Sequence, residues 1–126
     1  MRGRKPDQIA ADAGALTVAP SPPVWMAKDA KIEWRRILPD LVRRQTVTSS
    51  DLGSVESYCV AVGRVRELER LIQSAQLIDP KLFRMQNAAI QTARQLAAEL
   101  GLTPVSRSRP KMIVPETQAE DSPLDM

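Results

Sequence analysis

Two clusters of cations near opposite ends of this 126-residue chain are the residues best placed to do chemistry. Arg2, Arg4 and Lys5 crowd the opening, and Arg107, Arg109 and Lys111 follow one another at alternate positions near the other end. No acid stands among either set. Such groups hold phosphate oxygens by charge-assisted hydrogen bonds whose strength falls with salt. Beyond them the sign reverses: Glu116, Glu120, Asp121 and Asp125 follow with no further base. Basic arms around a central body, followed by an acidic tail, point to an anionic partner and to a second partner that takes the acids.

The same inventory argues against catalysis. The chain has no histidine, so the usual general base near neutral pH is missing. It has no GxxxxGK phosphate loop, and its carboxylates are scattered along helical stretches beside Lys and Arg. The single cysteine, Cys59, falls in an apolar helical pattern and reads as a small buried hydrophobe rather than a nucleophile. One cysteine cannot make an intrachain disulfide, and with no histidine there is no Cys/His zinc site. We read the chain as non-enzymatic, with no cofactor and no metal.

The opening Arg2-Gly3-Arg4 resembles the core of an AT-hook, in which an extended Arg-Gly-Arg lies in the narrow minor groove of A·T-rich DNA. In the full hook a proline follows the second arginine directly, whereas here Lys5 precedes Pro6. The alternative is a solubilising start to an arm. Arg107 and Arg109 could bracket phosphates, salt-bridge to a neighbouring subunit, or sit in a solvated tail.

These charges flank a body that must position them. Proline and glycine punctuate residues 1–23, and residues 106–126 are basic and then acidic, so both read as flexible arms. Residues 24–105 remain as a helical oligomerisation core. Ala, Leu, Gln, Glu and Arg dominate it, and the aromatics are Trp25, Trp34, Tyr58 and Phe83, which favours an all-α fold. At about 80 residues a core is thin, and self-association often supplies the rest. No run approaches the roughly 18 apolar residues that span a bilayer, and the opening lacks an apolar signal segment, so a soluble protein of a reducing cytoplasm is expected.

Three helices are predicted. The first covers about 27–44, with Ala30, Trp34, Ile37 and Leu41 as its apolar stripe; Pro39 should kink it or restart it after Leu38. Its basic face reads as solvated, with DNA contact as the alternative. The second opens at Thr48 with Asp51 as a capping-box acid and runs to about Ser74 on Leu52, Val55, Cys59, Val62, Val65 and Leu68. Gly63 inside it marks either the close approach of another helix or a tolerated glycine. The third starts at Asp79-Pro80 and presents Leu82, Met85, Ala89, Ala93, Leu96 and Leu100 until Gly101 caps it. A connection of about five residues makes the second and third helices a long antiparallel hairpin, and Thr103-Pro104 begins a short C-terminal helical turn. Trp34 belongs to the core, and Trp25 is expected to pack as a staple where the chain enters the first helix.

Several stretches together resemble the small subunit of tailed-phage terminases: "RGRKP", "PPVW" before a helix, "WRRILPDL", "TSSDLGSVESYC", "DPK" and "AAELGLTPVSRSR". Their order and spacing carry the likeness over residues 2–109. The resemblance implies a ring-forming helical protomer acting in the host cytoplasm. It implies double-stranded DNA and the large ATPase-nuclease subunit as partners, with recognition of viral DNA and stimulation of that subunit during packaging. The resemblance carries over no DNA-contacting residue; the charge distribution makes Arg2, Arg4, Lys5, Arg107, Arg109 and Lys111 the candidate DNA-binding residues. The partner-binding residues are Glu116, Glu120, Asp121 and Asp125. The connection between the second and third helices is shorter than is common in the family, and a helix-turn-helix is not evident. Two other readings remain: a stand-alone DNA-binding regulator using the Arg-Gly-Arg arm, and a helical-hairpin adaptor with no nucleic-acid partner.

Overall fold

The computed structural model describes residues 14–105. They form three helices, α1 (Lys28–Arg43), α2 (Leu52–Ser74) and α3 (Pro80–Glu99), with a single 3-10 turn, Ser49–Asp51, leading into α2. The described residues contain no strand, only an isolated antiparallel bridge between Ala15 and Thr48. The all-α expectation holds, and α2 and α3 form the long hairpin.

Local chemistry sets each boundary. At the entry to α2 the Thr48 N–H and hydroxyl both donate to Asp51 Oδ2 at 2.9 Å, the capping box read from the sequence. At the entry to α3 the Asp79 carboxylate accepts the Lys81 N–H at 3.0 Å and Pro80 takes the first turn, where its missing donor costs nothing. Gly101 (φ +73°) ends α3 in a Schellman motif: its N–H bonds Ala98 O at 3.2 Å and the Leu102 N–H bonds Ala97 O at 2.8 Å. α1 ends the same way without a glycine. Gln45 takes the left-handed conformation (φ 60°), bonding Val42 O at 2.9 Å, while the Thr46 N–H reaches Leu41 O at 3.2 Å.

Pro39 does not restart α1, which runs through it. Pro39 is exposed, so the Arg35 carbonyl it leaves without an amide partner lies on the solvent side.

The core lies between α1 and the first half of α2. Ala30, Trp34, Ile37 and Leu41 are buried on the predicted stripe, with Leu38 beside them, and they meet Val47, Val55, Tyr58 and Cys59. α1 and α2 approach so closely that a Cβ built on Gly63 would stand 2.9 Å from the Ala30 nitrogen. Of the two readings of Gly63, close approach is the one observed.

Residues 14–23 are held against this core. The Leu16 N–H donates to Val47 O and Trp34 Nε1 donates to Pro20 O, each at 2.9 Å. The staple is Met26, which is buried; Trp25 is 64% exposed and lies outside. The helix entry therefore buries the flexible thioether and turns the indole outward, the reverse of the expected arrangement.

α3 contributes no fully buried residue. Ala93, Leu96, Ala97 and Leu100 rest half-buried on the core, whereas Phe83 and Met85 stay exposed. Its amphipathic face is real, but this chain covers only its C-terminal half.

Candidate functional site

The cations and acids singled out at the chain ends fall outside the described residues: Arg2, Arg4, Lys5, Arg107, Arg109 and Lys111, and then Glu116, Glu120, Asp121 and Asp125. The described body presents three other features: a buried ionic joint, a cationic helix face and an apolar groove.

The joint centres on Glu33, which precedes Trp34 at the edge of the α1 stripe and is only 1% exposed. Tyr58 Oη donates to its Oε2 at 2.7 Å. Arg36 grips both oxygens, Nε to Oε1 at 2.9 Å and Nη2 to Oε2 at 2.6 Å, and Arg66 Nη2 reaches Oε1 at 3.3 Å. Burial by itself would raise the Glu33 pKa. The hydrogen bonds from Arg36 and Tyr58, with the charges of Arg36 and Arg66, overturn that and hold it below the ordinary value. Burial first, then the bond to Glu33, pushes the Tyr58 phenol up to about 12. Burial also pushes the Cys59 thiol up to about 12, with the nearby Glu33 charge adding to the effect. A thiol this reluctant to ionise is no nucleophile near neutral pH. The joint clamps α1 to α2.

Sequence reasoning missed Glu33. Its signal was faint: an acid three residues before Arg36 on an otherwise apolar edge, and a tyrosine in the facing helix whose hydroxyl needed a partner once buried.

Around α1 the cations divide into two groups. Arg36 is held by Glu33, and Arg43 and Arg44 by Asp40, with Arg44 Nη2 also reaching Gly101 O at 3.2 Å to tie the ends of α1 and α3. Asp29 near the start of α1 pairs with Arg70 of α2. Lys28, Lys31 and Arg35 make no ion pair among the described residues, and their spacing of three and four places them along one side of the helix. The basic face is thus a row of uncommitted charges beside a set already neutralised.

A groove of roughly 650 Å³ runs between α2 and α3, floored by Val60, Ala61, Leu68, Met85 and Ala89, with Trp25 on one side. Glu56 and Arg64 line it as well. At the far end of the hairpin, Leu71, Leu77 and Ile78 stand exposed. Among the described residues no three His, Cys, Asp or Glu come together in a way that could hold a metal ion. No helix among them is long and apolar enough to cross a membrane.

The described body thus combines a buried ionic joint, a row of unpaired cations on α1 and an open apolar groove along the hairpin. No curated protein and no solved structure gives a significant match to the chain. The sequence model of the family described as "Phage terminase, small subunit" matches residues 30–117, which takes in α1, α2 and α3. The chain belongs to the phage terminase small-subunit family, whose members serve viral genome packaging as non-catalytic components.

Proposed function

We propose that this protein recognises viral DNA and regulates the large terminase subunit, the ATPase-nuclease of packaging, from within a ring of identical copies in the host cytoplasm. The observation that carries the reading is the family match over 30–117, which spans nearly all of the three helices rather than one motif. The charge distribution supports it. Arg2, Arg4 and Lys5, with Arg107, Arg109 and Lys111, supply phosphate-binding groups, and Lys28, Lys31 and Arg35 add an unpaired row on the body. Glu116, Glu120, Asp121 and Asp125 supply the acidic groups offered to the large subunit. Apolar residues left exposed along the hairpin support assembly.

Native mass spectrometry of the purified chain, with and without duplex DNA, reads stoichiometry and binding together. The expected result is a closed oligomer that retains DNA. Replacing Arg2, Arg4 and Lys5 by alanine should weaken binding to all sequences and reduce the slope of log affinity against log salt by about 2 to 3, as expected for three lost phosphate contacts. Deleting residues 116–125 should abolish stimulation of the large subunit's ATPase while sparing DNA binding. A chain that ignores duplex DNA in dilute salt, or a deletion that leaves the stimulation intact, overturns the corresponding part.

A further inference from the structure

We propose that the projecting tip of the α2–α3 hairpin in one copy seats in the groove between α2 and α3, beside Trp25, of the next copy. The contact is heterologous: tip to groove, never tip to tip. This deepens the assembly reading above and rests on it.

The tip is unusual chemistry for a connection. Only residues 75–79 link the two helices, and Asp79 with Pro80 already supplies the cap and the turn. Polar residues would suffice for the rest, yet Leu77 and Ile78 stand side by side, 82% and 80% exposed. Phe83 lies with them at the tip, and Leu71 is half exposed on α2. Leu77 and Ile78 are left almost wholly outside the fold of the chain itself, Leu71 and Phe83 about half, and Leu77, Ile78 and Phe83 border a small hollow at the hairpin end; this apolar tip, the knob, is an exposed patch of the kind that marks an interaction site.

The groove is the concave counterpart. Its lining is largely apolar and partly small, with Val60, Ala61, Ala88 and Ala89 beside Leu68 and Met85, which lie toward the tip, and Trp25 on one side. Small residues leave room for inserted aliphatic side chains, and tryptophan is among the residues enriched as interface anchors. Charge agrees with shape. Glu56 and Arg64 line the groove and Lys81 stands beside Asp79 at the tip; none of Glu56, Arg64 and Lys81 has an ion-pair partner among the described residues. The groove therefore offers an acid and a base, and the tip offers the Lys81 ammonium to Glu56, while the Asp79 carboxylate already accepts the Lys81 N–H.

A chain cannot satisfy itself. α2 runs unbroken from the groove residues Glu56–Leu68 to Ser74, and α3 from Pro80 through the groove residues Met85–Thr92. Knob and groove are fixed apart on the same two helices, so the knob must enter another molecule. A knob and a groove at different places on the same chain define a head-to-tail contact that forms a ring if its rotation closes and a helical filament if it does not.

Two variants made entirely at exposed positions test this. The first carries Leu77→Asp and Ile78→Asp; the second carries Met85→Glu and Ala88→Glu, and circular dichroism verifies that both remain helical. Sedimentation velocity over a range of concentrations should show each variant as a monomer, with half-assembly shifted at least about 30-fold upward from the unaltered chain. Mixing the two should then give a one-to-one dimer and nothing larger, because one intact knob and one intact groove remain in the pair. If the unaltered chain assembles while either variant assembles equally well, or if the mixture forms no dimer, the tip-to-groove contact is wrong and the assembly reading survives. If the unaltered chain is itself monomeric, the assembly reading fails and the groove belongs to another partner.

Discussion

Glu33 shows how one side chain can hold two helices together. Its carboxylate is buried but accepts from three partners, so removing it leaves the Tyr58 hydroxyl stranded and frees two arginines. Arg36 is 63% and Arg66 41% exposed, so water can take them back, and the principal loss is the orphaned phenol and the broken clamp. Glu33→Ala should therefore lower stability by about 2 to 3 kcal/mol in urea unfolding. The pH dependence has a definite sign. The Glu33 pKa is depressed in the folded state, so its contribution is present above the unfolded carboxyl value and is lost as pH falls through the folded one. Acid should weaken the unaltered protein more steeply than Glu33→Gln below about pH 4.5. Tyr58 acts at the other end of the scale: its folded value is raised to about 12, so stability should decline as pH climbs from about 10 toward 12. Cys59 gives an independent probe of the same joint. Fully buried and with its pKa pushed up to about 12, it should react with a thiol reagent only as fast as the α1–α2 core opens. Rapid labelling of the native protein at neutral pH would contradict the packing described.

At the scale of elements, Gly63 and Gln45 make opposite predictions from the same backbone logic. Alanine at 63 would gain about 1 kcal/mol of helix propensity, but its Cβ would press on the Ala30 backbone nitrogen at 2.9 Å, which cannot swing aside. Overpacking of this kind costs about 1 to 3 kcal/mol, so Gly63→Ala should be net destabilising and Gly63→Val more so. Gln45 holds φ 60°, where a side chain is strained, so Gln45→Gly should stabilise by about 0.5 to 1 kcal/mol. Urea midpoints with unchanged slopes decide both. The helices themselves were legible in the sequence, because Thr48–Asp51, Asp79-Pro80 and Gly101 are local devices that work within four residues of where they stand. The restart allowed for at Pro39 does not occur, for a tertiary reason: Pro39 is exposed, and the carbonyl it leaves without a partner faces water. The orientation of Trp25 and Met26 was illegible for a similar reason. Two adjacent apolar residues at a helix entry compete for one buried place, and the shape of the far side of the core chooses between them.

For the whole molecule the most telling residue set is the one that is not buried. Periodicity picked out the apolar face of α3, yet none of its residues is fully covered, and Met85 is 49% exposed. A hydrophobic stripe records that a face needs cover, and it does not say which chain provides it. The candidate site shares that ambiguity: the groove lies between helices whose apolar stripes were visible, but its openness depends on how far α3 stands off, which no single helix encodes. A protein whose own core is confined to α1 and the first half of α2, and which leaves Leu71, Leu77, Ile78, Phe83 and Met85 in water, should draw part of its stability from its neighbours. Mass action then makes the thermal midpoint a function of concentration, because a neighbour binds the folded chain and not the unfolded one. Between about 1 and 100 µM the midpoint should rise steadily for the unaltered chain, while the Leu77→Asp/Ile78→Asp variant should melt at one temperature throughout, close to the dilute limit of the unaltered chain. Parallel midpoints that ignore concentration would mean that the small core suffices alone, and that the exposed hairpin serves something other than a second copy of itself.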